Sequence, residues 1–201
     1  GGNSKTKQSM NRILTVPFLR GTLRISRTPA GDVHKVCVND LCGAMRRSIL
    51  LKNGTVLRRC PSLTYLDAEH PDLVVFTGDV VTGKPAAEAW HRVLEPVAER
   101  NLPFCVVLGN HDAEQDLTRA EIGRIVTSYA GTLNTLGAGG ELADVVLEIA
   151  GTTQPAALLY CLDSHDYSTI PSIDGYGWFT QEQVGWYRAR SAAYTAANGG
   201  K

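Results

Sequence analysis

Two nearly continuous apolar runs of strand length stand out along the chain, Leu73-Val74-Val75-Phe76-Thr77 and Phe104-Cys105-Val106-Val107-Leu108. Runs this short and this rich in β-branched residues read as strands buried on both faces of a sheet. Between them Ala86, Ala89, Trp90, Val93, Leu94 and Val97 recur at helical spacing, which predicts a helix from about Pro85 to Arg100. Pro96 falls inside that pattern and is expected to kink or shorten the helix. The spacing places Trp90 in the core and His91 in solvent. Strand, turn, helix, strand, turn makes one βαβ unit. Further on, Thr118-Arg119-Ala120-Glu121 has the form of a capping box that opens an amphipathic helix through Ile122, Ile125, Val126 and Tyr129. Gly131 to Gly140 is glycine-rich and reads as a surface loop. Asp144 to Ile149 and Ala157 to Leu162 read as a hairpin. Thr180-Gln181-Glu182-Gln183 opens a last helix through Val184, Tyr187 and Tyr194.

The first third is less regular. Thr22 to Ser26 begins like a strand, which Arg27-Thr28-Pro29-Ala30-Gly31 breaks. Ser62 to Glu69 reads as the end of a helix stopped by Pro71. The 201 residues are 43% apolar, enough for one sizeable core, and their formal net charge is zero. That balance hides an asymmetry: residues 1–60 hold 12 Lys/Arg against 2 Asp/Glu, and the remainder 8 against 18. Residues 1–20 read as a polar, tag-like or disordered leader, and 21–60 as atypical for the domain that follows. Two explanations of the basic segment stay open. It is a basic arm for an anionic partner, or a stretch never shaped by the fold, as a shifted reading frame would leave. The near absence of aromatic residues removes base-stacking platforms, so no clear nucleic-acid site is visible. The abrupt change at about Cys60–Leu66 favours the second explanation. No run reaches transmembrane length and no intact secretion signal is visible, which leaves room for an export leader removed beforehand. The five cysteines lack metal-ligand spacing, and Cys105 and Cys161, in predicted strands, read as buried thiols.

The candidate chemistry sits at the ends of the two apolar runs. Gly78-Asp79 follows the first and Gly109-Asn110-His111-Asp112 the second. In open α/β sheets ligands bind at the carboxyl ends of strands, so Asp79, Asn110, His111 and Asp112 should converge at one edge. A carboxylate can bridge two cations, an Asn carbonyl is a neutral ligand, and a His binds metal or donates a proton. Gly-Asp and Gly-Asn are also ordinary turn pairs. A four-residue string such as Gly-Asn-His-Asp, however, arises by chance in a chain this long only about once in a thousand. Glu114 and Asp116 read as a solvated loop, and His165 as a loop decoration.

These two blocks resemble the second and third signature blocks of the calcineurin-like metallophosphoesterases. The stretch Leu66 to Asp79, with Leu162-Asp163-Ser164 and Tyr176-Gly177-Trp178, is similar to their purple acid phosphatase-like branch. The resemblance implies an α/β fold, a four-layer α/β/β/α sandwich only partly covered by this chain. It implies hydrolysis of a phosphoester by a water activated between two metal ions (iron, manganese or zinc). Asp79 would bridge the metals, Asn110 bind the second, His111 act as general acid and Asp112 orient His111. Asp32-Val33-His34 has the form of the first block, where a buried strand ends in metal ligands, although the residues before it are polar. A metal-binding tyrosine of true purple acid phosphatases is replaced here by Thr82. The chain holds no Gly-His-x-His, so it reads as a fragment that lacks the last ligands.

Overall fold

A computed structural model describes residues 21–26, 33–39, 66–67, 70–149 and 154–200 of the chain. Its larger sheet has the order β1 (Gly21–Ser26), β2 (Val33–Asn39), β3 (Leu73–Thr77), β4 (Phe104–Val107). β1 pairs antiparallel with β2, whereas β2, β3 and β4 are parallel neighbours. The crossover from β3 to β4 is helix α1 (Ala86–Glu99), as the βαβ pattern predicts.

Alternation along β3 and β4 explains why both runs are apolar throughout. Successive side chains on a strand point to opposite faces. Val74, Phe76, Phe104 and Val106 face a core closed by Trp90, Leu94 and Val97 of α1 and by Ile122 and Val126 of α2 (Arg119–Thr127). Leu73, Val75 and Cys105 face the other way, against Leu147, Ile149 and Cys161. Those residues belong to the predicted hairpin, β5 (Val145–Ile149) and β6 (Ala157–Cys161), which pair antiparallel as a second sheet. Tyr160 makes edge contacts with Trp186 and Tyr187 of α3 (Gln181–Ala197), and Tyr194 donates to Glu148. Helix α3 therefore lies against this second sheet, and none of its residues is buried.

Both predicted capping boxes are present. The Thr118 and Thr180 side chains accept from the Glu121 and Gln183 backbones, and each of those side chains reaches back to the cap. Helix α1 continues past Pro96 to Glu99, with Leu94 and Val97 buried on either side of it, and the Arg100 guanidinium donates to the Pro96 carbonyl at 2.8 Å. Trp90 is fully buried, and exposed His91 pairs with the Tyr129 hydroxyl. Cys105 and Cys161 are buried free thiols, as expected. The outer edge of β4 is covered by the loop at 131–134. Gly131 accepts from Phe104 at 2.9 Å, and the buried Asn134 amide bonds both Val106 N–H and C=O at 2.8 Å. An edge satisfied this way presents no free ladder to another chain. Among the described residues no helix is long and apolar enough to cross a membrane.

Trp90 carries the largest buried side chain of the α1 interface. Trp90→Ala is expected to lower stability by about 3–5 kcal/mol, from lost burial plus the cavity left behind. The midpoint of urea unfolding followed by far-ultraviolet circular dichroism measures it.

Candidate functional site

β3 and β4 deliver their turns to the same edge, and glycine lets those turns touch. Gly78 (φ +99°) and Asp79 (φ +52°) both adopt left-handed backbone. A Cβ on Gly78 would stand 2.9 Å from both Cα and N of Gly109. A Cβ on Gly109 would stand 2.5 Å from Asp79 N and nearer still to its carboxylate. Real Cβ contacts do not come this close, so the two turns approach backbone to backbone only because both positions are glycine. The approach lets Asp79 Oδ1 accept from the His111 N–H at 3.1 Å, which fixes one face of that carboxylate.

Asp112 is fully buried beneath the turns. Its Oδ1 accepts from Val81 N–H at 2.8 Å and its Oδ2 from Gly109 N–H at 2.7 Å. One carboxylate thus ties the loop after β3 to the loop after β4. Burial pushes its pKa up, while the backbone donors of Val81, Gly109 and Val80 pull it down and the Asp79 charge adds to the rise. The expected role of Asp112 as the partner that orients His111 is not what these contacts show: its oxygens are taken by backbone.

His111 pairs with Glu114, whose Oε2 lies 2.7 Å from Nδ1. Glu114 Oε1 in turn accepts from the Tyr167 hydroxyl, and that hydroxyl accepts from Asn110 Nδ2 at 3.2 Å. The tyrosine and histidine bonds hold the Glu114 carboxyl below its usual range, and the bond to Glu114 holds the Tyr167 phenol above its own. Tyr167 comes from the segment after β6 and stacks on Tyr176, ring centroids 6.0 Å apart. Asn110 thus commits its side-chain nitrogen, not its carbonyl oxygen, to Tyr167. Glu114, read from sequence as part of a solvated loop, is exposed but engaged on both oxygens. Neither it nor Tyr167 carried a motif, and only the acidic spacing three residues after His111 hinted at the pair.

Arg119, which sequence reading treated as the interior of a capping box, is buried. It donates to the Gly109 carbonyl at 3.1 Å and pairs with Asp163 at the end of β6. Asp163 N–H donates to Asp144, and Gln183 Nε2 to Asp144 Oδ2 and to the Asp163 carbonyl. His165 belongs to this second cluster, with Nε2 3.0 Å from Gln183 Oε1. The Asp79 edge is thereby tied to the hairpin sheet.

Of the first-block candidates only the backbone of His34 is described. Asp32 lies outside the described residues. The backbone of His34 lies at the start of β2, not at a strand end. Val36 aligns with Leu73, so His34 stands level with Pro71, six residues before Thr77. At the rise of a strand that is roughly 20 Å from the edge that bears Asp79. Among the described residues no three His, Cys, Asp or Glu side chains form a metal cage.

The fold and edge thus define an α/β protein with oxygen and imidazole donors gathered at adjacent parallel strand ends. The family model for the calcineurin-like phosphoesterases matches residues 30–193, and the chain belongs to that family. It is similar to phosphatase DCR2 of Saccharomyces cerevisiae, 37% identical over 133 residues, which is 59% of this chain and 23% of the yeast protein. It is 32% identical over 136 residues to probable inactive purple acid phosphatase 29 of Arabidopsis thaliana, covering 60% of this chain and 35% of the plant protein. The matched part therefore spans about a quarter to a third of these relatives.

The junction of the two turns makes expectations about stability. Gly109→Ala should destabilise the chain by about 1–3 kcal/mol through forced separation of the turns. Gly139→Ala, with open space around the added methyl, should change stability by less than about 0.5 kcal/mol. Asp112→Asn should remove about 1–3 kcal/mol, because an amide N–H would face a backbone N–H. Asp112 binds its proton more tightly folded than unfolded, so its contribution is fullest below the ordinary value of 3.8 and falls as pH rises through the raised folded value. Urea titrations across acid pH, without added metal, should show that slope in the parent and not in Asp112→Asn.

Proposed function

We propose that this chain carries one strand-end half of the metal site of a phosphoester hydrolase. The observation that carries the reading is the junction of Asp79 and Asn110 at the edge of β3 and β4, with His111 next to Asn110 in sequence and its N–H on the Asp79 carboxylate. The donor chemistry fits a hard or borderline cation: a carboxylate with one oxygen fixed by His111 N–H and an amide whose carbonyl is turned away from its tyrosine partner. Asp79 would bridge two metal ions of iron, manganese or zinc, and Asn110 would hold the second. Such a pair supplies an activated water and a clamp on phosphate oxygens. His111 would protonate the leaving oxygen, and Asp112 would hold the two loops at the spacing this requires. Thr82 in place of tyrosine means that no tyrosinate colour is expected.

The architecture we assign is the four-layer α/β/β/α sandwich. Helices α1 and α2, the β1–β4 sheet, the β5–β6 sheet and α3 succeed one another in that order. The remaining metal ligands would come from parts of a longer protein. A second reading, a catalytically silent binding module, draws on the Arabidopsis relative being named a probable inactive phosphatase and on the small number of donors gathered here among the described residues.

One pair of measurements separates the readings. The 201-residue chain is expected to bind at most one manganese or zinc ion weakly in a calorimetric titration and to turn over aryl phosphate poorly. The full-length gene product with manganese should turn it over, and Asp79→Asn should reduce that rate at least about a hundredfold. Retained turnover and metal content in Asp79→Asn would refute its assignment. A full-length protein that folds, binds metal and never turns over would favour the silent module.

A further inference from the structure

We infer that Arg119 is a positioning residue for Asn110, and that Asp163 of the hairpin sheet holds Arg119 to that task. The inference rests on the phosphoesterase reading only for the metal ion that Asn110 would bind; the positioning stands on geometry.

The turn after β4 opens with a glycine, the residue of greatest backbone freedom. Side chains must therefore supply the restraint that residue type does not. A peptide group is planar, so a hydrogen bond to its N–H or C=O orients the whole unit. Three successive peptide units of this turn are each held by a different side chain. The unit that carries Gly109 N–H donates to Asp112 Oδ2 at 2.7 Å. The next, through the Gly109 carbonyl, accepts from Arg119 Nη1 at 3.1 Å. The third, through His111 N–H, donates to Asp79 Oδ1 at 3.1 Å. The second and third units flank the Asn110 Cα, so together they set the direction in which its side chain leaves the backbone. Asp112 and Asp79 belong to the two turns themselves. Arg119 stands outside them, at the start of α2, and its other nitrogen reaches the second sheet.

That far partner is firmly seated. Arg119 Nη2 pairs with Asp163 Oδ2 just after β6. Asp163 Oδ1 accepts from His165 N–H, its backbone N–H donates to Asp144, and its carbonyl accepts from Gln183, each at 2.8 Å. The stem of Arg119 rises from a helix start closed by a capping box. The guanidinium is thus held at both ends and presents one N–H to one carbonyl.

Burial points to geometry as the use of this pair. The Arg119 and Asp163 side chains are 9% and 15% exposed. Arg119 Nε meets no hydrogen-bond partner among the described residues. Desolvation offsets much of the attraction in such a pair, and uncharged side chains of similar volume often serve stability as well. What they cannot do is orient the peptide between Gly109 and Asn110. Without the guanidinium that unit can rotate while His111 N–H stays on Asp79, and the Asn110 side chain swings with it.

The test compares Arg119→Met, which leaves the Asp163 charge unpaired, with Arg119→Met/Asp163→Asn, which removes both charges. In urea unfolding of the 201-residue chain the midpoint should fall in the single variant and largely recover in the double. Turn order should not recover. By amide hydrogen exchange in NMR spectra, Gly109 and His111 are expected to exchange at least about tenfold faster in both variants. Amides of β3 and α1 should stay within about twofold of the parent in the double variant. Arg124→Met, at an exposed position of the same helix, should leave Gly109 and His111 unchanged. Recovery of these two amides together with the midpoint overturns the inference, as does their failure to accelerate or an equal acceleration throughout the sheet. If the single variant does not fold, the double variant decides by the same amides.

Manganese titration of the full-length gene product gives the second readout. The double variant should bind the ion about tenfold to a hundredfold more weakly than the parent, as loss of a contact that orients a ligand does. Unchanged affinity beside faster exchange in the turn overturns the use of the positioning for metal. Faster exchange in the turn, with a parent that binds no manganese, upholds the positioning and refutes the phosphoesterase reading.

Discussion

Gly78 and Gly109 meet backbone to backbone, and that contact sets how close any two groups at the ends of β3 and β4 can come. The sheet alone does not achieve this. Neighbouring strands lie almost 5 Å apart, and side chains at their ends would ordinarily keep the following loops further apart. Removing both Cβ atoms lets the Asp79 carboxylate lie over the next loop and take the His111 N–H. Asp112 then locks the arrangement from below, one oxygen on each loop. Its burial is tolerable because both oxygens meet backbone donors, and a buried carboxylate without them would be costly. Glycine supplies the room and aspartate the restraint.

Above that junction the structure builds outward through polar ties of decreasing burial. Buried Arg119 carries the Gly109 carbonyl to Asp163 and so to the hairpin sheet. Gln183, whose side chain completes the capping box of α3, adds Asp144 and the Asp163 carbonyl. The helix start and the sheet-to-sheet tie thus use the same side chain. At the surface the tyrosine segment closes over Asn110 and Glu114. The apolar contact of Leu73, Val75 and Cys105 with Leu147, Ile149 and Cys161 brings the sheets together. The polar ties decide their register relative to the site.

What was legible in the sequence was what is local or periodic. The β3 and β4 runs, the stripe of α1, the hairpin and both capping boxes each depend on residues a few positions apart. The convergence of Asp79 with Asn110 followed from a single crossover rule. The surroundings of Asp112 were not legible, because they are tertiary. A carboxylate beside a histidine in sequence invites a side-chain pair, but here it points inward to backbone donors that no sequence pattern marks. The Asp-x-His string at Asp32 to His34 has the form of a strand end, whereas the parallel register of β2 with β3 makes Val33 a strand start. The polar character of the residues before it already conflicted with a buried strand there.

The positions of Glu114 and Arg119 show why exposed or capping residues are hard to assign without a fold. Each has an adequate local explanation, a solvated acidic loop or the first turn of a helix. Their structural roles appear only when β6 and the segment after it return to the strand-end edge some fifty residues later, bringing Asp163 and Tyr167. Contacts of that separation are invisible to periodicity. They also differ in consequence. The Arg119 tie is buried and holds the scaffold, so its loss would be felt as stability. The Glu114 tie is exposed and contributes little to folding. Joined to the Tyr167 hydroxyl and to the His111 ring, it adds local order at the strand-end edge rather than holding the chain together.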